Sequence, residues 1–413
     1  MTTHTDCELL DRDDALAFAR ERFALPAGVI YLDGNSLGAL PVHTAARLAD
    51  AVTQQWGTGL IRSWNTAGWV NLPQQVGSKI AALLGAGEDE VVAADSTSIN
   101  IFKLLAGALK LAATASKRRV ILSERGNFPT DLYIAQGLNE FLGGGYELRL
   151  VDGNIADAFD DSIAVALITQ VDYRTGHLHD MAKLNAIAKQ AGTRIVWDLS
   201  HSAGAVPVAL NADGAELAVG CGYKYLNGGP GAPAFIYLAK KLQSDFATPL
   251  AGWFGHAAPF AFDGKYRPAP GIERMQCGTP SVLAMLALQS GLETFDGVSM
   301  DDLRRKSLSL SDLFWKLMDE YCGQYGFACV SPRERAHRGS QLSFAHPQAY
   351  AIMQALIERG VIGDFRQPNL LRFGFTPLYL RHVDMFDAVT ILRDVMTTEA
   401  WADPRFQQRN QVT

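Results

Sequence analysis

Between residues 91 and 237, short apolar runs of strand length alternate with longer stretches of helix length, and this alternation restricts the fold more than any other feature. Strands are predicted at 91–94, 119–122, 146–150, 164–168, 195–197 and 217–220, with helices at 97–113, 130–141, 155–160 and 181–191 between them. Such a pattern predicts an α/β architecture: a mostly parallel sheet covered by helices on both faces. A seventh run, 234–237, follows through a glycine turn too short for a helical crossover, so it is expected to be antiparallel.

Outside this region the rhythm changes. Residues 9–23 read as a helix, 29–32 as a short strand, and Pro41 is expected to open a helix running to Gln55. A further helix should end at 80–84, and another should cover 281–295. Helices at 303–318 and 349–359 with strands at 340–344 and 370–373 predict a smaller α+β unit. The expected division is a large domain over 50–295 and a small one over 296–413 joined by 1–49.

A chain 48% hydrophobic and 19% charged can bury a substantial core. Its net charge of -6 and short basic clusters such as Arg304-Arg305-Lys306 argue against a nucleic-acid partner. No apolar run is long enough for a membrane span, and the polar N-terminus does not resemble a signal peptide. The five cysteines form no close pair, so neither a disulfide framework nor a metal site is predicted, and a cytoplasmic location is expected. His177-Leu178-His179 follows a turn with no third ligand nearby and reads as a surface loop.

Ligands of open α/β sheets sit at the carboxyl ends of strands, and the polar residues concentrate there. Trp197-Asp198-Leu199-Ser200-His201 closes one strand, and Gly220-Cys221-Gly222-Tyr223-Lys224 follows the next. An aspartate to pair with a pyridinium nitrogen and a lysine to form an imine are what pyridoxal phosphate chemistry requires. Asp198 alone would equally suit a helix cap, and Lys224 alone a snorkelling surface lysine. The glycines around Lys224 favour close approach of a ligand instead. Tyr223 is placed to bond a phosphate or relay a proton, or simply to pack.

Ser96-Thr97-Ser98 precedes an apolar helix and suits either an anion site or a plain cap. Asn127-Phe128-Pro129-Thr130-Asp131 brings an aromatic ring and a carboxylate to the same edge. Arg372 sits inside the apolar run Leu370-Leu371-Arg372-Phe373, either as a clamp for a substrate carboxylate or in a structural ion pair.

Taken together, Tyr31-Leu32-Asp33-Gly34-Asn35-Ser36-Leu37-Gly38, Trp197 through Ala205, Gly222-Tyr223-Lys224-Tyr225-Leu226-Asn227-Gly228-Gly229-Pro230-Gly231 and Gly252-Trp253-Phe254-Gly255-His256 resemble the kynureninases, hydrolases of pyridoxal phosphate fold type I. The resemblance runs over nearly the whole chain. It implies a large cofactor domain with a mostly parallel seven-stranded sheet and hydrolysis of L-kynurenine to anthranilate and L-alanine in tryptophan catabolism. Lys224, Asp198 and Tyr223 would be catalytic. Thr97, Ser98, Phe128, Pro129, Thr130, Asp131, Thr169 and His201 would touch the cofactor, with Trp253 and Thr279 near its phosphate across a homodimer interface. Arg372, Trp64 and Ser36 would bind substrate. Trp64 falls where some animal members hold a histidine and Thr279 where some relatives carry asparagine, and these two departures imply the bacterial type, with kynurenine preferred over 3-hydroxykynurenine.

A cysteine desulfurase would share the fold and the lysine but needs a reactive cysteine late in the chain, where Cys322 and Cys329 stand. An aminotransferase or a non-catalytic cofactor binder are the remaining alternatives.

Overall fold

The structure is a computed structural model that describes residues 1–115 and 118–409. A short strand, β1 (Ile30–Tyr31), precedes the central sheet of β2 (Val91–Ala93), β3 (Val120–Glu124), β4 (Glu147–Val151), β5 (Ile163–Thr169), β6 (Ile195–Asp198), β7 (Leu217–Gly220) and β8 (Phe235–Leu238). Their order is β2-β8-β7-β6-β5-β3-β4. Only β8 runs against its neighbours β7 and β2, as its short connection demands. Every residue of β5 to β8 is buried, which is expected of strands covered on both faces. Alternate side chains feed two cores: Ile195 and Trp197 point into one, Val196 into the other.

The second sheet gathers β9 (Ala328–Cys329), β10 (Gln341–Ala345), β12 (Asp364–Arg366) and β13 (Leu370–Gly374) in the order β12-β13-β10-β9, all antiparallel. β11 (Val361–Ile362) pairs instead with β1 in parallel, tying the N-terminal segment to this unit. The helix His4–Arg12 packs there too. Asp11 accepts hydrogen bonds from the His382 and Val383 amides at 2.6 and 3.1 Å, capping the helix His382–Thr397. We propose that the two sheets define two domains, 50–295 and 1–49 with 296–413.

Three local expectations are corrected. The helix expected over 9–23 is two pieces, His4–Arg12 and a 3-10 turn Ala17–Arg22, because the Asp14 carboxylate accepts the Leu16 amide at 2.9 Å and turns the chain. Pro41 does not begin a helix; it bridges Phe23, and the helix starts at Thr44. That helix ends at Asp50 and continues as a π-helical stretch, Ala51–Gly59. The terminal helix His382–Thr397 was not anticipated, although Met385, Ala388, Val389 and Leu392 form its buried stripe. Among the described residues no helix is long and apolar enough to cross a membrane.

Candidate active site

Thr169 and Asp198 end adjacent parallel strands and face each other in register. Lys224 follows the end of β7, and Asn127 to Asp131 follow β3, so the carboxyl ends of four strands deliver their polar residues to one edge. There they enclose a cavity of about 170 Å³. Thr97, Ser98, Phe128, Thr130, Asp131, Thr169, Asp198, His201, Tyr223 and Lys224 all line it. Pro129 opens the helix Pro129–Phe141 between two of them. Ser96, Tyr173 and Ser200 complete the wall.

The turn that presents Lys224 is packed too tightly for side chains. A Cβ on Gly222 would meet the Pro233 carbonyl at 2.4 Å, and one on Gly38 would meet the Lys224 carbonyl at 2.5 Å. Asn227, at φ 57°, bends the chain back, and its amide donates to the Lys224 carbonyl at 2.9 Å.

Lys224 Nζ lies 3.0 Å from His201 Nε2, and His201 Nδ1 lies 3.1 Å from Gln341 Oε1. The Gln341 amide nitrogen donates to the Tyr173 carbonyl at 3.0 Å, which fixes Oε1 as the acceptor toward histidine. The His201 proton therefore sits on Nδ1, and the Nε2 lone pair faces Lys224. Burial, and then the nearby Lys224 charge, hold the imidazole well below its ordinary pKa, so it stays neutral.

Two carboxyls share the opposite wall. Burial raises the pKa of Asp198, against the Ser200 hydrogen bond and the Lys224 charge; the Ser200 amide donates to it at 2.7 Å. Burial and the charge of Asp198 push Asp131 well above the usual carboxylate range. Thr169 Oγ1 donates to Asn127 Oδ1 at 2.5 Å and approaches Asp131 at 3.3 Å. A buried carboxyl that is costly to ionise suits a cationic partner such as a protonated ring nitrogen.

The helix Thr97–Ala115 aims its N-terminus at the cavity. Ser96 Oγ accepts the Ile99 amide at 3.4 Å, acting as the cap, while Thr97 and Ser98 line the cavity beside the free first-turn amides. Behind it, fully buried Lys103 bonds Asp95 and donates to the Met275 carbonyl at 2.6 Å. Phe128 meets Tyr173 edge-on at 5.1 Å and leaves a ring face toward the lysine, 5.7 Å away. Amine, carboxyl, flat ring and anion-binding helix end together fit pyridoxal phosphate.

Arg372 resolves into an ion pair. Its Nε donates to Asp364 Oδ1 at 2.9 Å and its Nη2 reaches Oδ2; Nη2 also meets Ser36 Oγ at 2.8 Å, and Nη1 meets the Tyr173 carbonyl at 2.6 Å. Ser36 and Arg372 thus come together behind Tyr173. Trp64, Trp253 and Thr279 do not line the cavity of their own chain. Trp64 packs against Phe254 at 6.0 Å, Trp253 against Phe254 at 4.9 Å, and Thr279 is exposed.

The structure adds Gln341, Tyr173, Asp364 and Arg366 to the residues singled out by sequence. Asp364 and Arg366 lie in the mixed segment Val361-Ile362-Gly363-Asp364-Phe365-Arg366-Gln367 and, like Gln341, carry no local signal. His177 meets His179 edge-on at 4.9 Å with His179 bonded to Glu124, and no metal-binding group occurs among the described residues. Cys322 is fully buried, and burial lifts the Cys329 thiol to about 11, so neither is the reactive cysteine of a desulfurase.

A family model described as the kynureninase C-terminal domain matches residues 303–392. A kynureninase of Burkholderia mallei (strain SAVP1) is 56% identical over 416 residues, covering 100% of both chains. One of Pseudomonas fluorescens is 51% identical, again over 100% of each. Among solved structures, a cysteine desulfurase from Thermococcus onnurineus NA1 superposes with a TM-score of 0.77 at 18% identity, covering 92% of this chain and 98% of its own. A C-DES variant with glycine covalently linked to its PLP cofactor gives 0.78 at 16%, covering 91% and 99%. These two share the fold. With full-length identity above half and the cavity built as described, the chain belongs to the kynureninase family.

Proposed function

We propose that the chain hydrolyses L-kynurenine to anthranilate and L-alanine with pyridoxal 5'-phosphate as cofactor. The observation that carries this reading is Lys224, held at 3.0 Å by a neutral histidine in the same cavity as the buried Asp198. The bound cofactor supplies a pyridinium ring that accepts an electron pair from the substrate's α-carbon. Asp198 would hold the ring nitrogen, Phe128 the ring face, Thr97 and Ser98 the phosphate, and Lys224 the aldehyde carbon. Thr130, Asp131 and Thr169 line the remaining edge.

Lys224 is the base placed to take the α-proton, and His201 Nε2 orients it by accepting one of its protons. Water then adds to the γ-carbonyl carbon and the Cβ–Cγ bond breaks. The water oxygen leaves in the carboxylate of anthranilate, and Cβ takes a proton to become the methyl group of alanine. Burial raises the Tyr223 phenol above its ordinary pKa, keeping it a proton donor for this stage. Arg372 and Ser36 form the carboxylate end of the site, and Trp64 and Phe254 offer apolar faces to the aniline ring.

The chain acts as a homodimer in this reading. Trp253 and Phe260, edge-on at 5.7 Å, both expose apolar surface, and Trp253 with Thr279 would complete the phosphate site of the partner. Five free cysteines suit a cytoplasmic location. Incubating the cofactor-loaded protein with L-kynurenine and following anthranilate fluorescence tests the activity. Absence of anthranilate from a loaded preparation overturns it.

A further inference from the structure

Two arginines, not one, stand at the carboxylate end, and their surroundings differ. Arg372 is largely committed: Asp364 takes its Nε and Nη2, Ser36 Oγ also meets Nη2, and the Tyr173 carbonyl takes Nη1, which leaves one N–H of Nη1 open. Arg366 touches Asp364 Oδ2 at 2.7 Å and Ser36 Oγ at 3.2 Å through Nη2 alone. Its Nε is buried and has no hydrogen-bond partner among the described residues. One carboxylate in two-point contact already neutralises Arg372, so the second guanidinium is left with open donors and uncompensated charge.

Asp33, the other acid nearby, does not supply the missing negative charge. Burial and then the Asp364 charge push its carboxyl up to about 8, leaving it mostly protonated at neutral pH. The open guanidinium also lies within electrostatic reach of the cavity. Its Nη2 shares Ser36 Oγ with Arg372, whose Nη1 meets the carbonyl of Tyr173, a residue that lines the cavity.

We propose that Arg366 is a second substrate-binding residue, which takes the α-carboxylate in company with Arg372 and makes the site selective for a free carboxylate. Asp364 anchors Arg372 as a fixed wall, and Arg366, on the short strand β12 and less buried than Arg372, presents the planar fork. Ser36, already bonded by both arginines, sets the distance between them. This inference rests on the reading of an amino-acid substrate but not on the identity of its side chain.

The test therefore uses L-alanine and L-alaninamide, which differ only in the carboxylate, titrated calorimetrically into the cofactor-loaded enzyme and its Arg366→Gln and Arg366→Lys variants. Wild type should prefer alanine over its amide by on the order of a hundredfold. Arg366→Gln should cut that preference at least about tenfold while leaving affinity for the amide nearly unchanged, and Arg366→Lys should restore part of it. An undiminished preference in Arg366→Gln, or equal loss of alanine and alaninamide binding, overturns the proposal. Should Arg366→Gln not fold, Arg366→Lys decides: it keeps the charge but loses the planar fork, so a preference as large as that of wild type also overturns the proposal. Kynurenine turnover by wild type is scored separately, so failure of the activity leaves this comparison interpretable.

Discussion

Gln341, on the small sheet, sets the proton position of His201, beside the large one: its Oε1 accepts from Nδ1 at 3.1 Å while its Nε2 donates to the Tyr173 carbonyl at 3.0 Å. The orientation of Lys224 therefore depends on a residue 117 positions further along the chain, through the imidazole between them. Replacing Gln341 by methionine keeps the volume and removes the acceptor. One lost buried hydrogen bond is worth about 1–2 kcal/mol, so kcat should fall about tenfold with cofactor content unchanged. The pH profile of kcat should shift as His201 loses its fixed tautomer. An unaltered kcat and pH profile would refute the coupling.

Asp33 makes stability depend on pH in a direction opposite to that of most carboxylates. Its folded pKa of about 8 lies above the ordinary 3.8, so between these values the folded protein retains a proton that the unfolded chain releases. The contribution is complete below the unfolded value and lost as pH rises through the folded one, at up to about 1.4 kcal/mol per pH unit. Asp33→Asn carries no titrating proton there. Urea unfolding of the cofactor-free protein at about pH 6 and about pH 8 should show wild type losing more stability than the variant across that interval. Parallel losses would mean that Asp33 ionises normally.

Much of this was legible in the chain. The alternation over 91–237 predicted the seven-stranded sheet because most of its strands are short apolar runs between glycine or polar turns, while the edge strand β4 alternates apolar and charged residues. Ten of the cofactor candidates line one cavity because carboxyl strand ends must converge on a parallel sheet's edge. What escaped was non-local. Gln341 reads as any polar strand residue until the small sheet is folded against the large one. The choice between clamp and ion pair for Arg372 was left open because Asp364 reaches it only through the β12–β13 pairing. The first helix broke early because one side chain, Asp14, captured an amide that the helix needed.

We propose that Trp64, which lies outside the cavity of its own chain, bears on the choice of aromatic ring from across the dimer. It sits 5.9 Å from Trp69 and 6.0 Å from Phe254, so it presents an apolar wall rather than a hydrogen-bonding one. An indole face suits an unsubstituted aniline ring but offers no partner to a 3-hydroxyl group. Steady-state kinetics should give a kcat/KM for kynurenine about tenfold or more above that for 3-hydroxykynurenine. Trp64→His supplies a donor and acceptor and should narrow the ratio several-fold. Equal use of both substrates by wild type would remove Trp64 as the discriminating residue.

Trp253 and Lys224 should belong to different halves of a shared site. Within one chain Trp253 is absent from the Lys224 cavity, yet it remains 39% exposed beside the exposed ring of Phe260. If a second copy brings Trp253 to the cofactor phosphate, Lys224→Ala and Trp253→Ala chains should each form a defective homodimer. Co-expressed, they form hybrids in which the Trp253→Ala chain keeps its own Lys224 and borrows the intact Trp253 of its partner. Random pairing makes about half of the dimers hybrid, each with one of two sites complete, so about a quarter of wild-type activity should return. A mixture no more active than the sum of its parents would place Trp253 outside the partner's site. Sedimentation of the wild-type chain as a monomer would rule out the shared site altogether.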